Sequence, residues 1–208
     1  MTKPTLYGAD YSVYVRIARM VLEEKGVDYE LVPLDIFATE GIPAWYVEHH
    51  PFGRIPAFEH DGFRLFETGA IARYVDEAFD GPALQPKDPR ARATMNQIIG
   101  MLDAYAYRSM VWDVAVERLE KEVPDEALIA NGLRQAETVL KVLTQLKAPG
   151  PWLLGDQLTQ ADLHAAPIIA YFLKVAEGQK LLAGFSEIGD WWARIVARAS
   201  FAGTEKTP

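Results

Sequence analysis

The chain has 208 residues, half of them apolar and 24% charged, with a net charge of −8 and no cysteine. That length suits one large domain or two small ones with a real core, and the composition is that of an ordinary soluble protein. The acidic balance offers no basic stripe to a nucleic-acid partner, and the lack of cysteine excludes thiol–disulfide exchange.

In chain order, Thr5–Tyr7 reads as a strand and Val13–Lys25 as a helix, with Tyr14, Ile17, Ala18, Val21 and Leu22 on one face and Gly26 at its stop. Tyr29–Leu34 is a second strand and Ala44–Glu48 a short helical turn. Asp61-Gly62, between Ala57–His60 and Phe63–Phe66, is the strongest hairpin signal in the sequence. A helix runs from about Thr68 to Ala78, with Thr68 where an N-cap belongs. Strand–helix–strand followed by hairpin–helix is the thioredoxin-like arrangement, which periodicity alone does not separate from other small α/β folds.

Asp80–Pro89, DGPALQPKDP, is a joint by composition, and everything beyond it reads as helical. One long periodic segment covers Arg90–Lys121 and another Asp125–Lys147; further helices run from Gln160 to about Ala176 and from about Ile188 to Ala199. The expected organisation is an α/β thioredoxin-like N-terminal domain over 1–79, a linker over 80–89 and an all-α C-terminal domain over 90–208. Within the last, Thr159 and Asp162 form a capping box with Leu158 and Leu163 as its apolar staple, a folding device rather than a chemical one. Asp190-Trp191-Trp192 reads as packing. The four histidines, His49, His50, His60 and His164, show no metal-ligand spacing, so no metal is expected. No run approaches the roughly 20 apolar residues of a membrane span, and MTKPTLYG lacks an apolar signal region, which predicts a cytoplasmic protein without a membrane partner.

The segment His50–Val75 concentrates the chemistry. Ile55-Pro56 suits a sharp cis corner that leaves backbone groups open to a ligand, and the helix start at Thr68 presents unpaired amides to an anion. This segment, together with TLYGADYS at 5–12 and LGDQLTQADL at 154–163, resembles the cytosolic glutathione S-transferase family, nearest in pattern to its phi-like, serine-type members. The resemblance covers nearly the whole chain. It implies the two-domain transferase fold, glutathione as co-substrate, homodimers pairing through the 90–121 helix and the helix after Thr68, and a role in detoxification by conjugation to small electrophilic molecules.

The family's task is to hold a thiol as thiolate near neutral pH. Lowering a thiol pKa from about 8.5 by two units needs roughly 2.7 kcal/mol, within reach of one hydroxyl donor and a helix N-terminus. Ser12, between the first strand and the first helix, is the candidate catalytic donor that the resemblance implies, although the residue by itself reads first as a plain N-cap serine. Tyr7 and Tyr11 are rival donors; Tyr11 could instead line the substrate pocket. Glu67 and Thr68 match the acidic–hydroxyl pair that holds the ammonium and carboxylate of the γ-glutamyl group, and Ile55, before Pro56, would pair its backbone with the cysteinyl unit. The phi-like basic or histidine pair after the second strand is Gly41-Ile42 here, so Arg54 is the candidate for the glycyl carboxylate, while His49 and His50 read as turn residues before Pro51. The electrophile pocket should be apolar and lie between the domains, with Tyr107 and Val111 one helical turn apart in its lining. Two other functions remain open from sequence: a non-catalytic binding or interaction module on the same fold, and a glutathione-dependent isomerase or dehalogenase.

Overall fold

The structure, a computed structural model, describes residues 2–205. They form two compact units, residues 2–83 with 199–205, and Leu84–Arg198.

The first unit is built on a four-stranded sheet of order β2-β1-β3-β4, with β1 Thr5–Gly8, β2 Glu30–Pro33, β3 Ala57–His60 and β4 Phe63–Phe66. β1 runs parallel to β2 and antiparallel to β3, and β3 and β4 form the hairpin. Its turn takes Asp61 at φ 50° and Gly62 at φ 79°, the two positive values that match the right-handed twist of the flanking strands. Helix α1, Val13–Lys25, starts at Ser12 and stops at Gly26, whose φ of 68° lets the Gly26 and Val27 amides return to Glu23 and Leu22. Leu6, Ile17, Val21, Leu22, Phe58, Ile71 and Val75 are fully buried between the sheet, α1 and α2, Thr68–Ala78. Each such side chain stabilises the fold by about 1.5–3 kcal/mol relative to exposure. Lys25 is buried as well, donating to the Asp76 carboxylate at 3.2 Å and to the carbonyls of Asp76 and Pro82.

The second unit is helical: α3 Pro89–Met101, a π-helical segment Leu102–Val116, α4 Glu117–Glu120, α5 Glu126–Leu146, α6 Gln160–Phe172, α7 Ala176–Leu182 and α8 Ser186–Val196. The single α-helix expected over 90–121 is therefore three windings, and the central one closes i→i+5 hydrogen bonds. The helix expected from Gln160 to Ala176 ends at Phe172 and restarts at Ala176, and the one placed at 188–199 covers Ser186–Val196. Gly132 lets α5 approach the π segment closely, since a Cβ there would meet the Ser109 carbonyl oxygen at 2.9 Å.

A last short helix, α9 Ala199–Gly203, belongs to the first unit although the sequence grouped it with the helical part. Arg16 donates to the Phe201 carbonyl at 3.0 Å and Arg19 to the carbonyls of Gly203 and Thr204. These arginines thus meet the carbonyl-bearing end of α9, where positive charge is favoured. Residues 206–208, included in the C-terminal domain expected from sequence, lie outside the described residues.

Candidate functional site

Strand register gathers the candidate residues at one end of the sheet. Tyr7 pairs with Ala57, Ala57 with Phe66, and Tyr7 with Val32. Chain leaving β1 leads to Ser12, chain leaving β2 to Asp35, chain entering β3 passes Arg54-Ile55-Pro56, and chain leaving β4 enters Glu67-Thr68. All four connections emerge on the same side.

Ser12 caps α1: its hydroxyl oxygen accepts the Val15 amide at 3.3 Å, and its own amide donates to Ala9. The N-cap role and a donor role are compatible, because a hydroxyl that accepts one hydrogen bond still carries its proton. Tyr11 points its phenol elsewhere, donating to Asp35 at 2.6 Å, while Asp35 also accepts the Phe37 amide. Burial and then the Asp35 carboxylate raise the Tyr11 pKa. Tyr7 packs its ring against Trp45 and His49, with centroids 5.8 and 4.6 Å away, and burial raises its pKa too, with Glu59 adding to the effect.

The Ile55-Pro56 bond is cis. Ile55 is buried, and its backbone groups have no hydrogen-bond partner among the described residues. Arg54 is exposed; its carbonyl accepts the buried Tyr46 hydroxyl at 2.7 Å, while its guanidinium has no hydrogen-bond partner among the described residues. At Gly41-Ile42, where the family resemblance implies a basic pair, the Ile42 side chain packs instead: a Cβ at Gly53 would lie 2.7 Å from Ile42 Cδ1, so this loop closes onto the turn before Arg54.

At the start of α2 the cap position falls to Glu67 and not Thr68, which is the first helical residue. Glu67 has φ 71° and ψ 112°, a sparsely populated region for a non-glycine residue that costs about 1–3 kcal/mol. Its carboxylate makes no capping bond, and the amides of Thr68 and Gly69 have no partner among the described residues. A strained, exposed carboxylate thus stands beside two open amides and the Thr68 hydroxyl. That arrangement can hold an ammonium and a carboxylate on adjacent atoms, as an amino acid presents them.

Tyr107 and Val111 lie in the second unit. Both are on the π segment, still about one turn apart: Tyr107 meets Trp112, edge to face at 6.5 Å, and Val111 is buried. Sequence reasoning missed His50. Expected only as a turn residue before Pro51, it is 3% exposed, its ring 4.9 Å from Phe66 and 6.4 Å from Tyr46, with Nδ1 buried and unpartnered. Nothing local to His50-Pro51 could have signalled this, since Phe66 is distant in sequence. Among the described residues no group of acidic and histidine side chains could hold a metal ion.

Residues 3–77 match the family model for the glutathione S-transferase N-terminal domain, and residues 100–199 that for the C-terminal domain. Glutathione S-transferase F13 of Arabidopsis thaliana is 28% identical over 94% of this chain and 92% of its own. Glutathione S-transferase 3 of Zea mays is also 28% identical, over 96% and 91%. Among solved structures, poplar glutathione transferase F1 superposes with a TM-score of 0.85 at 28% identity, covering 98% of this chain and 97% of that one. The apo form of glutathione S-transferase III gives 0.84 at 30% identity over 98% and 95%.

Proposed function

The chain belongs to the glutathione S-transferase family, and from that premise we propose that it is a phi-like transferase in which Ser12 holds glutathione as a thiolate for conjugation to small, largely apolar electrophiles. The observation that carries this reading is the state of the Ser12 hydroxyl. Its oxygen is polarised by the Val15 amide and its proton is free, at the positive end of a 13-residue helix. Of the two rival phenols, Tyr11 is engaged with Asp35, while Tyr7 packs its ring against Trp45 and His49.

Glutathione binds with its γ-glutamyl ammonium on Glu67 and its α-carboxylate on Thr68 and the open amides of α2. Ile55 pairs with the cysteinyl backbone, the cis Pro56 shaping that turn, and Arg54 meets the glycyl carboxylate. Ser12 then donates to the sulfur, which attacks the electrophile as thiolate. Tyr11 lines the approach beside Ser12, and in the second unit Tyr107 with Trp112 offers an aromatic pair suited to an apolar substrate. Residues up to 79, with α9, serve as the glutathione domain, 80–89 as the linker and 90–198 as the helical domain.

The protein acts as a cytoplasmic homodimer. Supporting the dimer, an open groove of about 930 Å³ runs along α3, the π segment and α5, with Met101, Tyr105, Val139 and Leu146 among its apolar lining, Gln97 and Arg134 among its polar lining, and Tyr105 60% exposed. A stable monomer in sedimentation at micromolar concentration overturns the dimer. No helix of the described residues is long and apolar enough to cross a membrane.

Ser12→Ala tests the catalytic assignment. Loss of the cap costs about 0.5–2 kcal/mol, which a folded domain tolerates. Turnover of an aryl halide should fall roughly 10- to 1,000-fold, the scale for losing one donor to an anion, and the thiolate absorbance of bound glutathione should titrate at higher pH. Full activity in Ser12→Ala with loss in Tyr7→Phe or Tyr11→Phe moves the role to a tyrosine. Binding without turnover in the unmutated protein favours the non-catalytic module.

A further inference from the structure

We propose that His50 is a positioning residue for Glu67, a buried neutral imidazole that keeps the Glu67 carboxylate fully available to the ammonium of glutathione and withdraws it when protonated. The inference rests on the assignment of Glu67 to the γ-glutamyl ammonium. Three observations carry it. His50 is 3% exposed, and its ring lies against Phe66, the residue directly before Glu67, with Phe52 edge-on at 6.3 Å. Its Nδ1 is buried without a partner, although buried polar atoms nearly always have one. Finally, Glu67 holds an uncommon positive φ with no capping bond of its own, directly after the Phe66 ring on which His50 packs.

The groups that face the imidazole define its electrostatics. From the turn before β3 comes the Arg54 guanidinium, from the start of α2 the Glu67 carboxylate, and from the 44–48 turn the neutral phenol of Tyr46. Burial lowers the His50 pKa; Glu67 opposes that shift and Arg54 adds to it. At neutral pH the imidazole is therefore uncharged and Glu67 has no cation competing for it from below. Protonation places a positive charge beside Glu67, where it is stabilised by the carboxylate that must also hold the ligand's ammonium. Bound ammonium and His50 proton then disfavour each other, and by linkage each lowers the affinity for the other.

Calorimetric titration with glutathione from pH 8 to about pH 5 reads this directly. The unmutated protein should lose roughly 3- to 10-fold in affinity as pH falls below the ordinary histidine range near 6.5. His50→Gln should bind several-fold more weakly at pH 7.5 and with a flatter pH profile. Because that variant could fail to fold, the His50 ring proton resonance of the unmutated protein gives a second reading. Its midpoint should be lower with glutathione bound, by the logarithm of the same factor. A midpoint that glutathione leaves unmoved, or an equal pH loss in a folded His50→Gln, overturns the proposal. No glutathione binding at any pH overturns instead the functional assignment on which it rests.

Discussion

Two helix starts in this molecule carry a threonine and an acidic residue, and they are opposites. At α6, Asp162 is fully buried and accepts from the Thr159 amide and hydroxyl, the Leu153 amide and the Trp191 indole, at 2.8 to 2.9 Å. At α2, Glu67 is exposed, strained and without a capping bond, and two amides stand open beside it. In the first junction the Asp162 carboxylate is saturated by donors from within the chain, so that pair folds the protein and has no acceptor left to offer a ligand. The second is left unsatisfied, and it stands at the sheet end where Ser12 and Ile55 also converge. Chemically similar pairs are told apart by what they leave unpaired.

The sharpest way to break this contrast is at the closed junction. Asp162→Ala strands two backbone or indole donors and the Thr159 groups in a dry interior, each unsatisfied group costing about 1–3 kcal/mol. Loss of about 3–5 kcal/mol of unfolding free energy is expected in denaturant titration, with the slope unchanged. Burial also raises the Asp162 pKa against the pull of its four donors. A loss under 1 kcal/mol would mean that the network is not what fixes α6.

The open junction should respond the other way round. Glu67→Gly removes backbone strain of about 1–3 kcal/mol and adds about 0.5–1 kcal/mol of glycine chain entropy to the unfolded state. Stability is thus expected to hold or rise by about 1 kcal/mol. Glutathione affinity should meanwhile fall by about 1.5–3 kcal/mol, the value of a charge-assisted hydrogen bond. Destabilisation together with intact binding would place Glu67 with Asp162 as a folding residue.

These junctions also mark how far the sequence could be read. Asp61-Gly62, Gly26 and the Thr159–Asp162 pair were legible because one residue type dictates local geometry there, and the structure has the turn, the left-handed cap and the buried carboxylate network at those positions. Ser12, Ile55, Glu67 and Thr68 became candidates through the resemblance to the transferase family, since by residue type alone Ser12 and the Glu67–Thr68 pair read as capping residues. What could not be read depends on partners remote in sequence. The Tyr11 phenol is claimed by Asp35, 24 residues away, and α9 is held by Arg16, 185 residues before Phe201. The π winding over Leu102–Val116 leaves no residue-type signature, because apolar positions that suit an α-helix also suit a slightly wider one.

The smallest effect expected is at Arg54, which sharpens the comparison from the solvent side. The protein carries a net charge of −8 and must hold an anionic tripeptide, and the usual basic pair after β2 is Gly41-Ile42. Arg54 brings a guanidinium without a hydrogen-bond partner among the described residues, and its backbone is fixed by the Tyr46 hydroxyl at 2.7 Å. Because that side chain is exposed, solvent screens much of its attraction for a carboxylate. Arg54→Ala should therefore weaken glutathione by only about 1–2 kcal/mol, near the lower end for a charged hydrogen bond, with a smaller change in the rate of the bound complex. The loss should shrink with added salt, as expected for an exposed charge. An unchanged dissociation constant in calorimetry would leave the glycyl carboxylate to solvent, and the recognition of glutathione to the open junction alone.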